Sequence, residues 1–171
     1  MIQYAQHNYT INNLSVQSFC CSFQELDIDE RFDFIISNPP FYGAGATQSE
    51  NEHINIARYA HHLPIDVFVS KAKQLLRPRG RVIFCYDAKQ IDIVLHSLIK
   101  YKINPGVIRF VHSKVDRESK LVMIAARANS NSMLKVLAPL IVFDEKSNYS
   151  DEAYSAFLKA STNSIKGDYE E

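Results

Sequence analysis

Residues 32–41 read Phe-Asp-Phe-Ile-Ile-Ser-Asn-Pro-Pro-Phe, an apolar run that stops at two adjacent prolines. The β-favouring apolar residues predict a buried strand over residues 32–36. Each proline fixes one φ angle and lacks a backbone N–H, and the residue before a proline is held extended. The sequence therefore predicts a strand whose carboxyl end is a stiff corner at residues 38–41.

This corner has the chemistry to hold an exocyclic amine. The Asn38 side-chain oxygen and the Pro39 carbonyl can each accept one N–H, while Pro40 stiffens the turn. Phe41 can stack on the ring that carries the amine, an interaction worth about 1–3 kcal/mol. Two acceptors pull the amine hydrogens aside and expose lone-pair density to an electrophile, without a strong general base. The alternative interpretation is an ordinary turn, since Asn-Pro-Pro is also a reasonable turn sequence.

Apolar spacing predicts the remaining elements. Helices are expected up to Asn12-Asn13, over residues 65–76 and 91–98, and after Ser150, where Tyr154, Phe157 and Leu158 would form the apolar face. Strands are expected over residues 16–23, 81–86, 106–112, 120–128 and 137–143, with a long loop over residues 43–62. The order predicts an α/β fold, a mostly parallel doubly wound sheet with an antiparallel hairpin at its edge. Ligands bind at the carboxyl ends of the strands in such sheets.

The 171 residues, 46% hydrophobic and 22% charged, fit one globular domain. We expect a single, partial domain over residues 1–165 and a frayed tail over residues 166–171. The sequence contains neither an 18-residue apolar run nor a signal peptide, so we expect a cytoplasmic protein without a membrane span. The three cysteines, Cys20, Cys21 and Cys85, are expected to be reduced and mostly buried.

The net charge of zero conceals an uneven distribution along the chain. Residues 1–60 carry a net charge of −5, residues 61–135 carry +9 and residues 136–171 carry −4. The positive segment includes Lys114, Arg117 and Lys120, around the polar stretch between the two antiparallel strands, and could follow a phosphate backbone. The alternative interpretation is a set of solvated faces whose charges do not cluster in space.

Residues 35–41, Ile-Ile-Ser-Asn-Pro-Pro-Phe, resemble the Asn-Pro-Pro-aromatic motif of S-adenosylmethionine-dependent amino-methyltransferases, which act on adenine N6, guanine N2 or protein glutamine. Residues 57–59, 114–120 and 149–154 narrow the resemblance to bacterial methyltransferases that modify adenine N6 in the anticodon loop of a valine tRNA. The resemblance covers nearly the whole chain. It implies a Rossmann-like class I methyltransferase fold, S-adenosylmethionine as cofactor and tRNA as partner, with no metal and no membrane.

The resemblance also assigns the site residues. It implies catalytic roles for Asn38, Pro39, Pro40 and Phe41, substrate binding by Tyr42, Arg58, Lys114, Arg117 and Lys120, and cofactor binding by Ser22, Phe23 and Asn38. Taken by itself, Arg58 is equally well explained as a surface residue. The histidines His53, His61 and His62 have no cysteine or carboxylate partner at ligand spacing, and we interpret them as surface residues rather than as a metal site.

The sequence departs from the family at its amino-terminal end. Family members begin with a strand and a glycine-rich turn that hold the methionine part of the cofactor, and an acidic residue holds the ribose. This sequence has no glycine before Gly43 and lacks the ribose-binding acidic residue, and it places Ser22 where the family has a second acidic residue, after the third strand and near the cofactor's adenine. We therefore expect an N-terminally truncated chain that corresponds to the C-terminal two-thirds of a family member. Its uncovered sheet edge could support self-association.

Three functions follow from these observations. The first is a tRNA adenine-N6 methyltransferase or its C-terminal portion. The second is a glutamine methyltransferase of release factors, which uses a similar tetrapeptide but continues with an acidic-Pro pair that is not found here. The third is a remnant that lacks the cofactor and binds only RNA or a partner, which the missing glycine-rich turn favours.

Overall fold

Helices and strands alternate along most of the chain in the computed structural model, which describes residues 2–43 and 50–160. The helices are α1 (Ile2–Ile11), α2 (Glu52–Arg58), α3 (Ile65–Leu75), α4 (Ile91–Lys100) and α5 (Asp151–Lys159). The strands are β1 (Phe32–Ser37), β2 (Leu76–Asp87), β3 (Ile103–His112), β4 (Ser119–Ala128), β5 (Lys135–Val136) and β6 (Leu140–Ile141). Short 3-10 helices cover Phe23–Glu25, Ala60–His62 and Ala88–Gln90.

The six described strands form one mixed sheet in the order β1-β2-β4-β3-β5, and β6 also pairs with β3. β1 is parallel to β2, and β3 is parallel to both β5 and β6. β4 runs antiparallel between β2 and β3. The predicted α/β fold, with a mostly parallel sheet and an antiparallel hairpin, is confirmed. The hairpin does not form the outer edge, because the two-residue strands β5 and β6 pair beyond it.

One face of the sheet is buried under α3 and α4, which pack against each other. Val82, Phe84 and Tyr86 of β2 belong to this core and are at most 2% exposed. Phe68 of α3 packs on Phe84 with ring centroids 5.4 Å apart. The predicted helix over residues 65–76 is confirmed, because its apolar stripe is the one that the core buries.

The predicted strand over residues 16–23 is wrong. This stretch is irregular until the 3-10 helix Phe23–Glu25, and it joins no strand ladder within the described residues. Val16 and Phe19 remain 47% and 44% exposed. An apolar run becomes a strand only where a neighbouring strand supplies ladder hydrogen bonds, and the described part of the chain supplies none here.

The predicted long loop over residues 43–62 is wrong in its second half, which contains α2 and the 3-10 helix Ala60–His62. Residues 44–49 of that loop lie outside the described residues. Asn51 caps α2, since its side chain accepts hydrogen bonds from two backbone N–H groups of the first turn. Apolar periodicity could not have predicted this helix, because it does not bury an apolar stripe.

The carboxyl-terminal elements follow the prediction only in part. Ser150 caps α5 as expected, accepting a 3.2 Å hydrogen bond from the Ala153 amide. The predicted strand over residues 137–143 shrinks to β6. The prediction that Tyr154, Phe157 and Leu158 form the apolar face of α5 is wrong, because all three are more than half exposed. Ala153 is the residue of α5 that is buried.

Expectations about the cysteines, the tail and a membrane span remain to be compared with the structure. The prediction of mostly buried cysteines is wrong, because Cys20 and Cys21 are exposed and Cys85 is half-buried. The predicted tail over residues 166–171 lies outside the described residues. Among the described helices, none is long and apolar enough to cross a bilayer.

Gly80 occupies a tightly packed position in β2. A Cβ there would lie 3.0 Å from the carbonyl oxygens of Arg77 and Phe32. We expect Gly80→Ala to lower the free energy of unfolding by about 1–3 kcal/mol, because backbone that joins β1 to β2 would have to shift. Gly106→Ala is the matched control, since its Cβ would make an ordinary 3.4 Å contact with the Ala125 carbonyl oxygen. Equal stabilities of the two variants in chemical denaturation would contradict this packing argument.

Candidate functional site

The carboxyl ends of β1 and β2 lie at the same edge of the sheet as the loop between β3 and β4. β1 and β2 run parallel, and the antiparallel β4 pairs Leu121 with Asp87 at the end of β2. His112 at the end of β3 pairs with Ser119 at the start of β4. The Asn-Pro-Pro-Phe corner and the predicted basic loop therefore lie on the same side of the molecule.

The corner begins directly after β1, as predicted. Asn38 is exposed, Pro39 is buried, and Pro40 and Phe41 are half-buried. Because the two prolines have no N–H, the backbone next donates a hydrogen bond at Phe41. The corner thus presents an amide side chain to solvent from a rigid, partly buried support.

The end of α2 holds the corner from one side. The backbone N–H groups of Phe41 and Tyr42 both donate to the Arg58 carbonyl oxygen, at 3.1 and 2.9 Å. The Ala60 N–H donates to the Tyr42 carbonyl oxygen at 3.0 Å, and the intervening Tyr59 is only 2% exposed. These contacts place the Arg58 backbone beside the corner, and Arg58 is an exposed residue.

Three aromatic rings meet at the corner. The Phe41 ring centroid lies 5.1 Å from that of Tyr42 and 5.6 Å from that of Tyr86. Burial raises the pKa of Tyr86, and the neighbouring Asp87 carboxylate raises this pKa further. Tyr86 is therefore an uncharged phenol at neutral pH, and Phe41 rests on a neutral, apolar support.

Gln90 holds the corner from a second side, and sequence reasoning missed it. Its Nε2 donates to the Phe41 carbonyl oxygen at 3.0 Å and lies 3.5 Å from Asp87 Oδ2. Asp87 Oδ1 accepts from the Lys89 N–H at 2.9 Å and so begins the 3-10 helix Ala88–Gln90. An aspartate directly after the predicted strand over residues 81–86 was the available signal for a capped turn at this edge.

The predicted basic residues come together in space. Lys114, Arg117 and Lys120 line one groove of about 690 Å³, and Lys89 lines it as well. We call this feature the basic groove. Sequence reasoning missed Lys89, because it lies on a different element from the other three residues.

The structure also gives the surroundings of Ser22, Phe23 and the histidines. Phe23 packs on Phe68 of α3, with ring centroids 5.6 Å apart, and the exposed Ser22 side chain makes no capping hydrogen bond. No described contact joins either residue to Asn38. Within residues 2–43 and 50–160, the histidines and their neighbours form no cluster of three metal-binding side chains.

The arrangement of helices and strands is similar to the fold of a solved methyltransferase. A predicted O-methyltransferase from Agrobacterium tumefaciens has a similar fold, with a TM-score of 0.57 and 15% sequence identity over 77% of this chain and 52% of that chain. The chain belongs to the methyltransferase small domain family, whose model matches residues 1–104.

Curated relatives of this chain include tRNA1(Val) (adenine(37)-N6)-methyltransferases. The Phocaeicola vulgatus protein is 28% identical over 128 residues, which cover 75% of this chain and 53% of the relative. The Porphyromonas gingivalis protein is 34% identical over 102 residues, which cover 60% of this chain and 40% of the relative. The chain thus spans about half the length of the curated relatives it matches.

The family and the fold imply S-adenosylmethionine as cofactor, and the described residues fit only part of it. Glycine lets the backbone approach a cofactor closely. Gly80 is packed against neighbouring backbone, Gly106 makes an ordinary contact with the Ala125 carbonyl oxygen, and Gly43 has nothing within 4 Å of its Cβ position, so the contacts of these three glycines do not indicate a cofactor cradle. Asn38 offers one polar partner, which is insufficient for the methionine and ribose ends.

We expect Gln90→Ala to loosen the corner without unfolding the protein. Loss of one partly buried hydrogen bond costs about 0.5–1.5 kcal/mol. Hydrogen exchange at the Phe41 and Tyr42 amides should therefore accelerate by about two- to tenfold. Gln74→Ala, at an exposed glutamine of α3, is the matched control and should leave this exchange unchanged. Unaltered protection at Phe41 in the Gln90 variant would show that this contact does not position the corner.

Proposed function

We propose that this chain takes part in S-adenosylmethionine-dependent methylation of adenine N6 in tRNA and forms the part of the site that holds the base. One observation carries the proposal, namely the exposed Asn38 amide on its rigid corner, at the same sheet edge as the basic groove. The names of the relatives support this reaction. They also support a valine tRNA as the substrate, with the methylated adenine in its anticodon loop.

The corner residues supply recognition of the base. Asn38 Oδ1 accepts one hydrogen of the adenine N6 amine, and the Pro39 carbonyl oxygen accepts the other. Phe41 stacks on the purine and is itself steadied by Tyr42 and Tyr86. This arrangement orients the amine lone pair and requires no side chain to remove a proton, in keeping with the neutral Tyr86.

The cationic side chains supply affinity for the RNA backbone. Arg58 lies beside the corner, and Lys114, Arg117 and Lys120 lie in the basic groove, so they suit phosphates on either side of the bound base. Tyr42 is exposed next to Phe41 and adds a second aromatic contact. An adenine in an anticodon loop is already unpaired and leaves its stack at low cost. A tRNA substrate also supports the cytoplasmic location predicted from the sequence.

The basic groove favours RNA over a protein substrate. A glutamine methyltransferase of release factors would use a similar corner, but it has no need of phosphate-binding cations. Methyl transfer to bulk tRNA, compared with transfer to purified release factor, tests the proposal on the protein as the cell makes it. Transfer to the release factor alone would overturn it.

Two further sequence-based assignments remain proposals. The first is that residues 1–165 form a single domain, and the second is self-association. Self-association would use the outer edge of β1, where Phe34 and Ile36 are 57% and 77% exposed and no described strand pairs.

In the complete enzyme, we expect Asn38→Ala to reduce the rate of tRNA methylation by the equivalent of about 2–4 kcal/mol, because one acceptor for the amine is lost. Binding of tRNA should change little, since phosphate contacts carry most of that affinity. Asn131→Ala, at an exposed amide outside the corner, is the control. The measurement is single-turnover methyl transfer beside a tRNA binding curve, and wild-type transfer in the Asn38 variant would refute its assigned role.

We expect residues 1–171 alone to bind S-adenosylmethionine no more tightly than about millimolar, and to transfer no methyl group. The reason is that the described residues supply one polar partner at the corner and no glycine cradle. Calorimetric titration with the cofactor measures this affinity. Micromolar binding would show that the cofactor site has been misjudged.

A further inference from the structure

The basic groove carries more positive than negative charge. Its walls present four cations, from Lys89, Lys114, Arg117 and Lys120, and two carboxylates, from Asp116 and Glu118. The Asp116 carboxylate lies 3.8 Å from the Arg117 guanidinium in an exposed ion pair, an arrangement that contributes little free energy in water. The groove therefore keeps cations available for an anionic ligand.

The loop that carries these cations has a fixed shape. The Arg117 N–H donates to the Lys114 carbonyl oxygen at 3.1 Å, and His112 Nδ1 donates to the Arg117 carbonyl oxygen at 2.7 Å. Lys114 Nζ donates to the Glu145 carbonyl oxygen at 3.2 Å, which ties the loop to the turn that follows Phe143. A groove that is shaped before binding loses less conformational entropy when a ligand enters.

One wall of the basic groove is aromatic. Phe143 lines the groove, and its N–H donates to the Ser113 carbonyl oxygen at 2.9 Å. Its ring stacks on Tyr149, with centroids 5.1 Å apart and planes inclined by 27°. Phe157 contacts the Tyr149 ring at 5.0 Å without lining the groove. The Phe143 ring is thus held in place by a second aromatic ring.

The basic groove lies next to the Asn38 corner. Lys89 contributes to the groove, while the following residue, Gln90, donates to the Phe41 carbonyl oxygen. One 3-10 helix, Ala88–Gln90, therefore supports both features. Three strands separate β1 from β6 in the sheet, so an RNA strand with one base at the corner can reach the groove with a nucleotide a few positions along the strand.

We propose that the basic groove is a binding site for one single-stranded RNA nucleotide of the loop that carries the methylated adenine, an inference that rests on the proposed function. The base stacks on Phe143, and the phosphate binds Lys89 together with the cations of the loop. A paired base cannot stack on a protein ring, so the site selects unpaired RNA. It adds a stacking contact, through Phe143, and a phosphate contact, through Lys89, to the residues assigned from the sequence.

The test is fluorescence anisotropy of the 171-residue chain with a short, end-labelled single-stranded RNA that has a central adenine. Phe143→Leu should weaken binding about tenfold, whereas Phe143→Tyr should restore it and Phe157→Leu should leave it unchanged. RNAs with a single abasic nucleotide, placed in turn at each position up to four nucleotides from the adenine, complete the cycle. Removal of the stacked base should weaken RNA binding by the wild-type protein about tenfold. The same removal should not weaken RNA binding by the Phe143→Leu variant any further.

The salt dependence gives a second readout that does not disturb the fold. Lys89→Ala should reduce the slope of log affinity against log salt by about 0.7, the value for one phosphate contact to a single strand. Lys135→Ala, at an exposed lysine toward the opposite end of β3, should leave the slope unchanged. An unchanged slope for Lys89→Ala, or an affinity that does not depend on Phe143, would overturn the groove assignment.

Methyl transfer separates this inference from the proposed function. In one outcome, methyl transfer to tRNA by the complete enzyme requires Asn38, but RNA affinity does not depend on Phe143 or Lys89. This outcome overturns the groove assignment and leaves the proposed function standing. In the other outcome, RNA binding requires Phe143 and Lys89, but the complete enzyme methylates release factor instead of tRNA. This outcome supports the groove assignment and overturns the proposed function.

Discussion

Two adjacent prolines end β1, and the position of the other groups at the candidate site depends on that stop. Pro39 and Pro40 have no backbone N–H, so the parallel ladder with β2 ends at the Ser37–Phe84 pair. The chain must leave the sheet at Asn38 and can donate a backbone hydrogen bond again only at Phe41. Because this stop is covalent in origin, the corner does not rely on a bound ligand for its shape.

The corner is then located by two elements that are distant in sequence. The Arg58 carbonyl oxygen at the end of α2 accepts two backbone hydrogen bonds, and Gln90 after β2 donates one from the other direction. Each hydrogen bond contributes only about 1 kcal/mol. Together they restrain the Phe41 backbone from two sides, so a stacking ring is placed by modest interactions that act in different directions.

Sequence reasoning succeeded where both members of an interaction lie in the chain and are apolar. β1 and β2 pair with each other, α3 buries the stripe that its spacing predicts, and the antiparallel pair closes on itself. It failed over residues 16–23, because an apolar run does not reveal whether a strand is available to pair with it. It also missed α2, which buries no apolar stripe, and Gln90, whose partner lies 49 residues away.

The two halves of a methyl-transfer site make different demands on a chain. Recognition of a flat, hydrogen-bonding base needs a few rigid acceptors and an aromatic face, which a short stretch such as residues 38–41 can supply by itself. Recognition of a flexible cofactor with several polar groups needs close backbone approach, and therefore glycine at particular turns. The described glycines that are packed closely serve the sheet instead, as Gly80 does between Arg77 and Phe32. The corner proposed to hold the base can therefore form without the glycine turns that a cofactor needs, since no described contact of the Asn38 corner depends on a glycine.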